Sequence, residues 1–271
     1  MSSKNKAQLP QNGEASTGHS RFIIVHGDKG GVGKSFVAQA LADYLLSQNE
    51  PVAIIDADTA NPDVSRMFDK YVPCAQADVR SETGWMDVMD FVIKHRGSTI
   101  IMNTPAGIGE YMKADMTSFT EFLANQEVPV EMELWWTMNV QHDSVNLLSK
   151  ANDAYGQFFK RLRVVCNLHF ANGDKSAQGP FLLWNESTLR TSIEKNNGMT
   201  IFFPGLHVRV VQKLFTPGKI MPFSYAEDAA TGEQVGLENS ERWKLSQWRN
   251  DINKLMKPAF TQGSAAPVAQ V

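Results

Sequence analysis

The chain has 271 residues, with 26 Lys and Arg against 29 Asp and Glu, a formal net charge of −3 and 42% hydrophobic residues. That supplies a sizeable core, and the near-neutral balance excludes a global pull toward nucleic acid or anionic membrane, so any such binding needs a local patch. Two distant cysteines, Cys74 and Cys166, argue against a disulfide framework or a cysteine zinc site.

No run of about 18 apolar residues occurs, and the N-terminus lacks the apolar core of a signal peptide. A soluble protein in a reducing, cytoplasmic setting is the expectation. Residues 1–20 are polar and rich in Ser, Asn, Gln and Gly, and read as a disordered tail; Lys4 and Lys6 there read as solvated charges. Residues 21–260 read as one domain, and 261–271, small and polar, as a second disordered tail.

The stretch Phe22 to Ser35, FIIVHGDKGGVGKS, organises the domain. Phe22, Ile23, Ile24 and Val25 predict a strand. Phe36, Val37, Ala40, Leu41, Tyr44 and Leu45 recur at helical spacing behind it. Between them lies a glycine-rich loop close to the phosphate-binding pattern G-x-x-x-x-G-K-[ST]. Gly30, Gly31, Val32 and Gly33 let the backbone curl and present N–H groups, and the helix beginning near Phe36 adds its positive end. Lys34 is placed to reach the β- and γ-phosphates and Ser35 to ligate Mg²⁺. The pattern is not met in full: its first glycine belongs at position 28, where the chain has Asp28, with Gly27 one residue earlier.

Within this loop, K-G-G-V-G-K-S carries a second lysine, Lys29. It resembles the deviant Walker A motif of the MinD/ParA family of ATPases. The resemblance implies an α/β P-loop NTPase fold with a mostly parallel, helix-flanked central sheet. It also implies ATP and Mg²⁺ as ligands, and a homodimer closed face to face over ATP. In that dimer Lys29 would reach the partner's nucleotide.

A second strand, Val52 to Ile55, ends in Asp56-Ala57-Asp58-Thr59-Ala60-Asn61-Pro62-Asp63. Carboxylates at the carboxy edge of a parallel strand face the ligand crevice, although they also cap helices and turns. The D-A-D and N-P run resembles the family's switch I. The resemblance makes Asp58 the group that orients the attacking water and Asp56 the strand-end acid near Mg²⁺. Met67 to Thr83 reads as loop-rich, with Cys74 a passive residue, and Trp85 to Lys94 as a helix.

Thr99 to Met102 predict a third strand, followed by Asn103-Thr104-Pro105-Ala106-Gly107. This resembles the switch II motif D-[ST]-P-A-G. There the aspartate holds a magnesium-bound water and the glycine lies near the γ-phosphate. Asn103 replaces that aspartate. Its amide oxygen still accepts a hydrogen bond but brings no charge to offset the metal. Slow turnover is the expectation.

A helix around Met116 to Leu123, a strand Val130 to Met138 and a helix Gln141 to Phe159 follow. Trp135 and Trp136 are expected on opposite faces of their strand. Lys160, Arg161 and Arg163 suit a helix C-terminus and are also a candidate contact for non-specific DNA. The strand Arg163 to Leu168 brings Asn167, which the resemblance makes the purine contact; His169 there reads as structural. Ala171 to Gly179 reads as a loop, Phe181 to Glu194 as a helix, Thr200 to Phe203 as the last strand and Val208 to Phe215 as a packing helix. Pro204 resembles the family's segment lining the base pocket. The run Asn167 to Asp228 also resembles the plasmid-transfer, TraL-like branch.

Asn239 to Phe260 reads as a helix with Trp243, Leu245, Trp248, Ile252 and Leu255 along one face. Docking on the sheet is its expected role. Membrane binding, as in MinD-type members, is the lesser alternative. The implied function is a slow, ATP-dependent dimeric switch that positions a cargo such as a plasmid or a transfer complex, with a stimulating or cargo protein as partner. A nucleotide-gated adaptor without appreciable turnover is the second reading. A metal-cluster carrier or an amide-forming synthetase fits less well, the first because paired cysteines are missing.

Overall fold

The computed structural model describes residues 20–127, 129–141, 143–171 and 179–261. The two tails and most of the loop expected at 171–179 therefore lie outside the described residues, as do Lys4 and Lys6. At the margins, Ser20 already opens a strand and Thr261 closes a helix.

Seven strands form one sheet: β1 (Ser20–His26), β2 (Val52–Asp56), β3 (Cys74–Gln76), β4 (Thr99–Asn103), β5 (Val130–Met138), β6 (Arg161–Asn167) and β7 (Met199–Phe203). Their order is β3-β2-β4-β1-β5-β6-β7, and every ladder is parallel. The reason lies in the sequence. Phe22–Val25, Ala53–Ile55 and Ile100–Met102 are unbroken apolar runs, suited to strands covered on both faces.

Helices supply those covers. On one face lie α1 (Lys34–Ser47), α2 (Asp63–Phe68), α8 (Val208–Leu214), α9 (Phe223–Glu227), α10 (Ala229–Val235) and α11 (Asn239–Thr261), packed on Ile23, Val25, Ile54, Ile101, Trp135 and Val165. On the other lie α3 (Glu82–Lys94), α4 (Gly109–Asn125), α5 (Ser144–Tyr155), α6 (Leu182–Asn185) and α7 (Thr188–Lys195), packed on Phe22, Ile24, Ile55, Met102, Leu134 and Trp136. Trp135 and Trp136 thus face opposite ways, as strand alternation requires.

Several expectations change. The stretch 67–83 holds the end of α2 and the short edge strand β3. The helix expected over 181–194 breaks at Ser187, whose hydroxyl accepts from the Arg190 N–H and so caps a new helix, α7. The helix expected to reach Phe159 stops at Tyr155 and passes into a 3₁₀ turn, Gly156–Phe158.

The residues of the basic cluster are engaged within the chain. Lys160 is ion-paired with Glu131, and Arg161, buried, lies 2.6 Å from Glu133. Arg163 is fully buried and donates to the carbonyls of Asn197 (3.1 Å) and Ala259 (2.9 Å). These charges are spent on anchoring the amino ends of β5 and β6 and the carboxy end of α11.

The last helix docks on the sheet with Leu245, Trp248, Ile252, Met256 and Ala259 buried. Trp243 departs from its expected place and is 56% exposed, with Lys244 over its ring. Trp248 packs against Phe36, Phe203 and Phe223 and donates its indole N–H to the Pro204 carbonyl at 2.9 Å. Trp248→Ala should therefore cost about 3–5 kcal/mol of stability. Urea unfolding of the two proteins checks this, and a loss below about 1 kcal/mol would contradict the packing role.

Candidate functional site

Parallel strands send all their carboxy ends to one edge, and the loops after β1, β2 and β4 meet there around a cavity of ≈ 320 Å³. It is lined by Gly30, Gly31, Gly33, Lys34, Ser35 and Phe36 of the glycine loop, by Asp58 and Asp63 after β2, by Ala106 after β4, and by Gln39 and Phe215. The structure thus brings together Gly30, Gly31, Gly33, Lys34, Ser35, Phe36 and Asp58 among the expected residues. Val32 is buried beneath the loop instead.

The local backbone explains the hollow. Gly31 has φ of +73° and Gly33 of +97°, the left-handed region that glycine tolerates best. A Cβ on Gly30 or Gly31 would meet nothing within 4 Å, so these peptides border open space. At Gly33 the opposite holds: a Cβ would lie 2.3 Å from Asn167 Nδ2. Helix α1 starts here with no side-chain cap and no acidic residue in its first turn, leaving its first N–H groups for a bound anion.

Asn167 is not at an open base face. It is buried, donating from Nδ2 to the Val32 carbonyl at 2.9 Å and accepting at Oδ1 from the His169 N–H at 3.1 Å. Its amide holds the loop against β6 through these two bonds. Pro204 borders a separate cavity of ≈ 520 Å³, together with Leu168, His169, His207 and Lys244, Gln247, Trp248 and Asp251 of α11.

Lys34 is buried and donates to the Lys29 carbonyl at 3.0 Å. Burial pushes its ammonium below the ordinary lysine value, while Asp58 and Asp28 pull it back up. Lys29 does not line the cavity. Its ammonium turns outward to Gln141 Oε1 (2.6 Å) and to Asp143 just before α5.

A model of the ParA family, described as an NUBPL iron-transfer P-loop NTPase, matches residues 18–107. The protein MobD of Acidithiobacillus ferrooxidans is 30% identical over 236 residues, 87% of this chain and 96% of MobD. This chain belongs to the same family as MobD, and its residues 18–107 form a ParA-type P-loop NTPase segment. The cytosolic Fe-S cluster assembly factor CFD1 of Yarrowia lipolytica is 29% identical over 110 residues, 35% of this chain and 36% of that protein. Among solved structures, the signal recognition particle receptor FtsY from Elizabethkingia anophelis has a TM-score of 0.49 at 13% identity, over 89% of this chain and 68% of that one.

Ser35, Asp56 and Asn103, the residues expected on the metal side, lie together at this edge. Asp56 and Asn103 are register partners on neighbouring strands. Asn103 Nδ2 donates to Asp56 Oδ1 at 2.9 Å and lies 3.4 Å from Ser35 Oγ. Asp56 Oδ2 accepts from the Val64 and Ser65 N–H groups, both at 3.0 Å, so the carboxylate caps α2. Burial raises the Asp56 carboxyl above the usual range, against the lowering effect of its hydrogen bonds to Ser65, Asn103, Val64 and Asp58. Asp56 therefore ties the start of α2 to β4 through its two oxygens. Asn103 Oδ1 is buried with no hydrogen-bond partner among the described residues. The Asn103 amide nitrogen faces Ser35 Oγ, and its orphaned acceptor Oδ1 is the atom left to accept from a metal-bound water.

Sequence reasoning missed Gln39 and Phe215. Gln39 is buried in α1 and donates to the Asp63 carbonyl at 3.0 Å, tying the helix to the switch I loop. Its signal was a lone amide inside the apolar run Phe36 to Leu41. Cys74 is a passive residue, its thiol pushed up to about 12 by burial first and by Asp69 and Asp56 after that.

Behind the loop, His26 is fully buried, with Nδ1 2.8 Å from Thr104 Oγ1. Burial, and then the charge of Lys34, lower it from 6.5 to about 3. The unfolded chain therefore takes up this proton below pH 6.5 while the folded chain does not until about pH 3. The stabilisation is complete above pH 6.5 and is lost as pH falls through that window, at up to about 1.4 kcal/mol per unit. Urea unfolding from pH 7 to 4.5 should give a shallower slope for His26→Gln than for the wild type; equal slopes would remove His26 from the account.

Proposed function

We propose that this protein is an ATP-dependent dimeric switch of the MinD/ParA type that binds Mg-ATP, hydrolyses it slowly and positions a cargo in the cytoplasm. The observation that carries the reading is the pair of lysines. Lys34 sits inside the phosphate hollow, whereas Lys29 stands outside it on the exposed rim. A lysine turned out of its own site is available to a nucleotide held by a second copy. The mechanism is one of positioning and charge, with no covalent intermediate. The loop N–H groups and Lys34 hold the phosphates, Asp58 orients water, and Lys29 adds charge from the opposite subunit. Ser35 and the free Asn103 Oδ1 would hold Mg²⁺, directly and through water, and the ion would neutralise phosphate charge.

A plasmid or a transfer complex is the cargo class this reading favours, with MobD as the relative that spans most of the chain. A cargo or stimulating protein would set the timing. A surface role on DNA is not assigned to Lys160, Arg161 and Arg163, which are paired internally. Membrane attachment through α11 is equally unsupported, because its apolar face is buried. Among the described residues no helix is long and apolar enough to cross a membrane. Cluster carriage would need paired cysteines, and Cys74 and Cys166 sit in β3 and β6 with four strands between them.

The amide at Asn103 favours a second reading, an adaptor gated by nucleotide with negligible turnover. Phosphate release at saturating Mg-ATP separates the two. In the switch reading, Asn103→Asp should raise Mg²⁺-dependent release on the order of tenfold. An unchanged or lower rate would count against it. Lys29→Ala should keep nucleotide binding and lose the ATP-dependent dimer in light scattering coupled to gel filtration; a variant that still dimerises with ATP sinks the trans-lysine role.

A further inference from the structure

The loop pattern calls for glycine at position 28, and the chain has an aspartate there. The Asp28 carbonyl accepts the Gly107 N–H at 3.0 Å. Gly107 is the switch II glycine expected near the γ-phosphate, so that amide is already engaged by the loop. The Asp28 carboxylate lies beside Gly109: a Cβ built there would be 3.5–3.7 Å from its Oδ1, Cγ and Oδ2. Gly109 opens the 17-residue helix α4, whose N-cap residue, Ile108, makes no side-chain capping bond. The positive end of α4 therefore has a carboxylate against it. Asp28 Oδ1 is buried and has no hydrogen-bond partner among the described residues. Its charge, after that of Asp58, also raises the Lys34 ammonium against the lowering effect of burial.

We propose that Asp28 is a specificity-determining residue that disfavours a nucleoside triphosphate relative to the diphosphate, by placing a fixed negative charge where switch II and Lys34 would receive the γ-phosphate. This rests on the ATP reading above. A diphosphate occupies the glycine hollow and does not meet this charge. A γ-phosphate must share Lys34 with Asp28 and displace its carbonyl from the Gly107 amide. Like charges at this range, partly shielded from water, are worth on the order of tenfold or more in affinity. Asn103 sharpens the effect. The chain lacks an acid on the metal side of switch II and has one on the γ-phosphate side, so the site's negative charge has moved toward the group it must bind.

The test uses the full chain with excess Mg²⁺. Fluorescent mant-ADP is titrated directly and ATPγS by competition, for the wild type, Asp28→Asn and Asp28→Gly. The wild type should bind ADP more tightly than ATPγS. Both variants should shift the ATPγS-to-ADP ratio toward the triphosphate by about tenfold or more, with ADP affinity held within about threefold. Asp28→Gly is the residue the pattern carries, so it serves if the asparagine variant does not fold. A ratio unchanged in the variants overturns the proposal. So does a parallel loss of both nucleotides, the mark of a structural role, or a wild type that already prefers ATPγS by about tenfold. A wild type that binds neither nucleotide overturns the ATP reading as well, and is distinct from binding with an unmoved ratio.

Discussion

The amide of Asn167 donates to the carbonyl of Val32, and the glycine loop is built around that contact. Gly33 has no room for a side chain because Asn167 Nδ2 occupies the space where its Cβ would go. With that peptide held down against β6, the left-handed turns at Gly31 and Gly33 follow, and the N–H groups of Gly30 and Gly31 border open space. The uncapped start of α1 then points into the same hollow. One buried amide therefore links a strand two places away in the sheet to the geometry that recognises phosphate. An amide is suited to this because it offers a donor and an acceptor together, and both are used.

The fold was largely legible from the sequence. Apolar runs bounded by glycine, proline and acids located six of the seven strands, and the strand-loop-helix at Phe22–Leu45 gave the parallel arrangement its phosphate site. The elements that escaped were short and local. Cys74–Gln76 is only three residues long and has no periodicity to detect, and the break at Ser187 depends on one hydroxyl in a stretch that otherwise continues helically. Site residues named by motif were placed well where the backbone decides their position, as at Gly30, Gly31, Gly33 and Ser35. The bonding of a side chain was less legible where it had several partners to choose from. Asn167 and Asp56 both have local bonding needs that spacing does not reveal. Arg161 and Arg163 read as charges at a helix C-terminus because their acid and carbonyl partners lie far away in sequence.

The same distinction governs the charges of the site. Asp56 is surrounded by donors on neighbouring elements and works as a fixed part of the framework. Asp58, on the loop beyond it, lines the cavity and is free of that scaffold. Lys34 is buried and held by the Lys29 carbonyl, so its charge is positioned before any ligand arrives. Preorganised charge of this kind has to be balanced, because a desolvated lysine without anions would lose its proton. Asp58 and Asp28 provide that balance in the single chain. The rim follows a different rule: Lys29, half-buried, pairs directly with Gln141 and the exposed Asp143, and such partly exposed ion pairs are worth little. A contact that weak can be exchanged for a stronger anion at small cost. The contrast between a tightly balanced inner lysine and a loosely held outer one is what a switch operated by a second subunit requires.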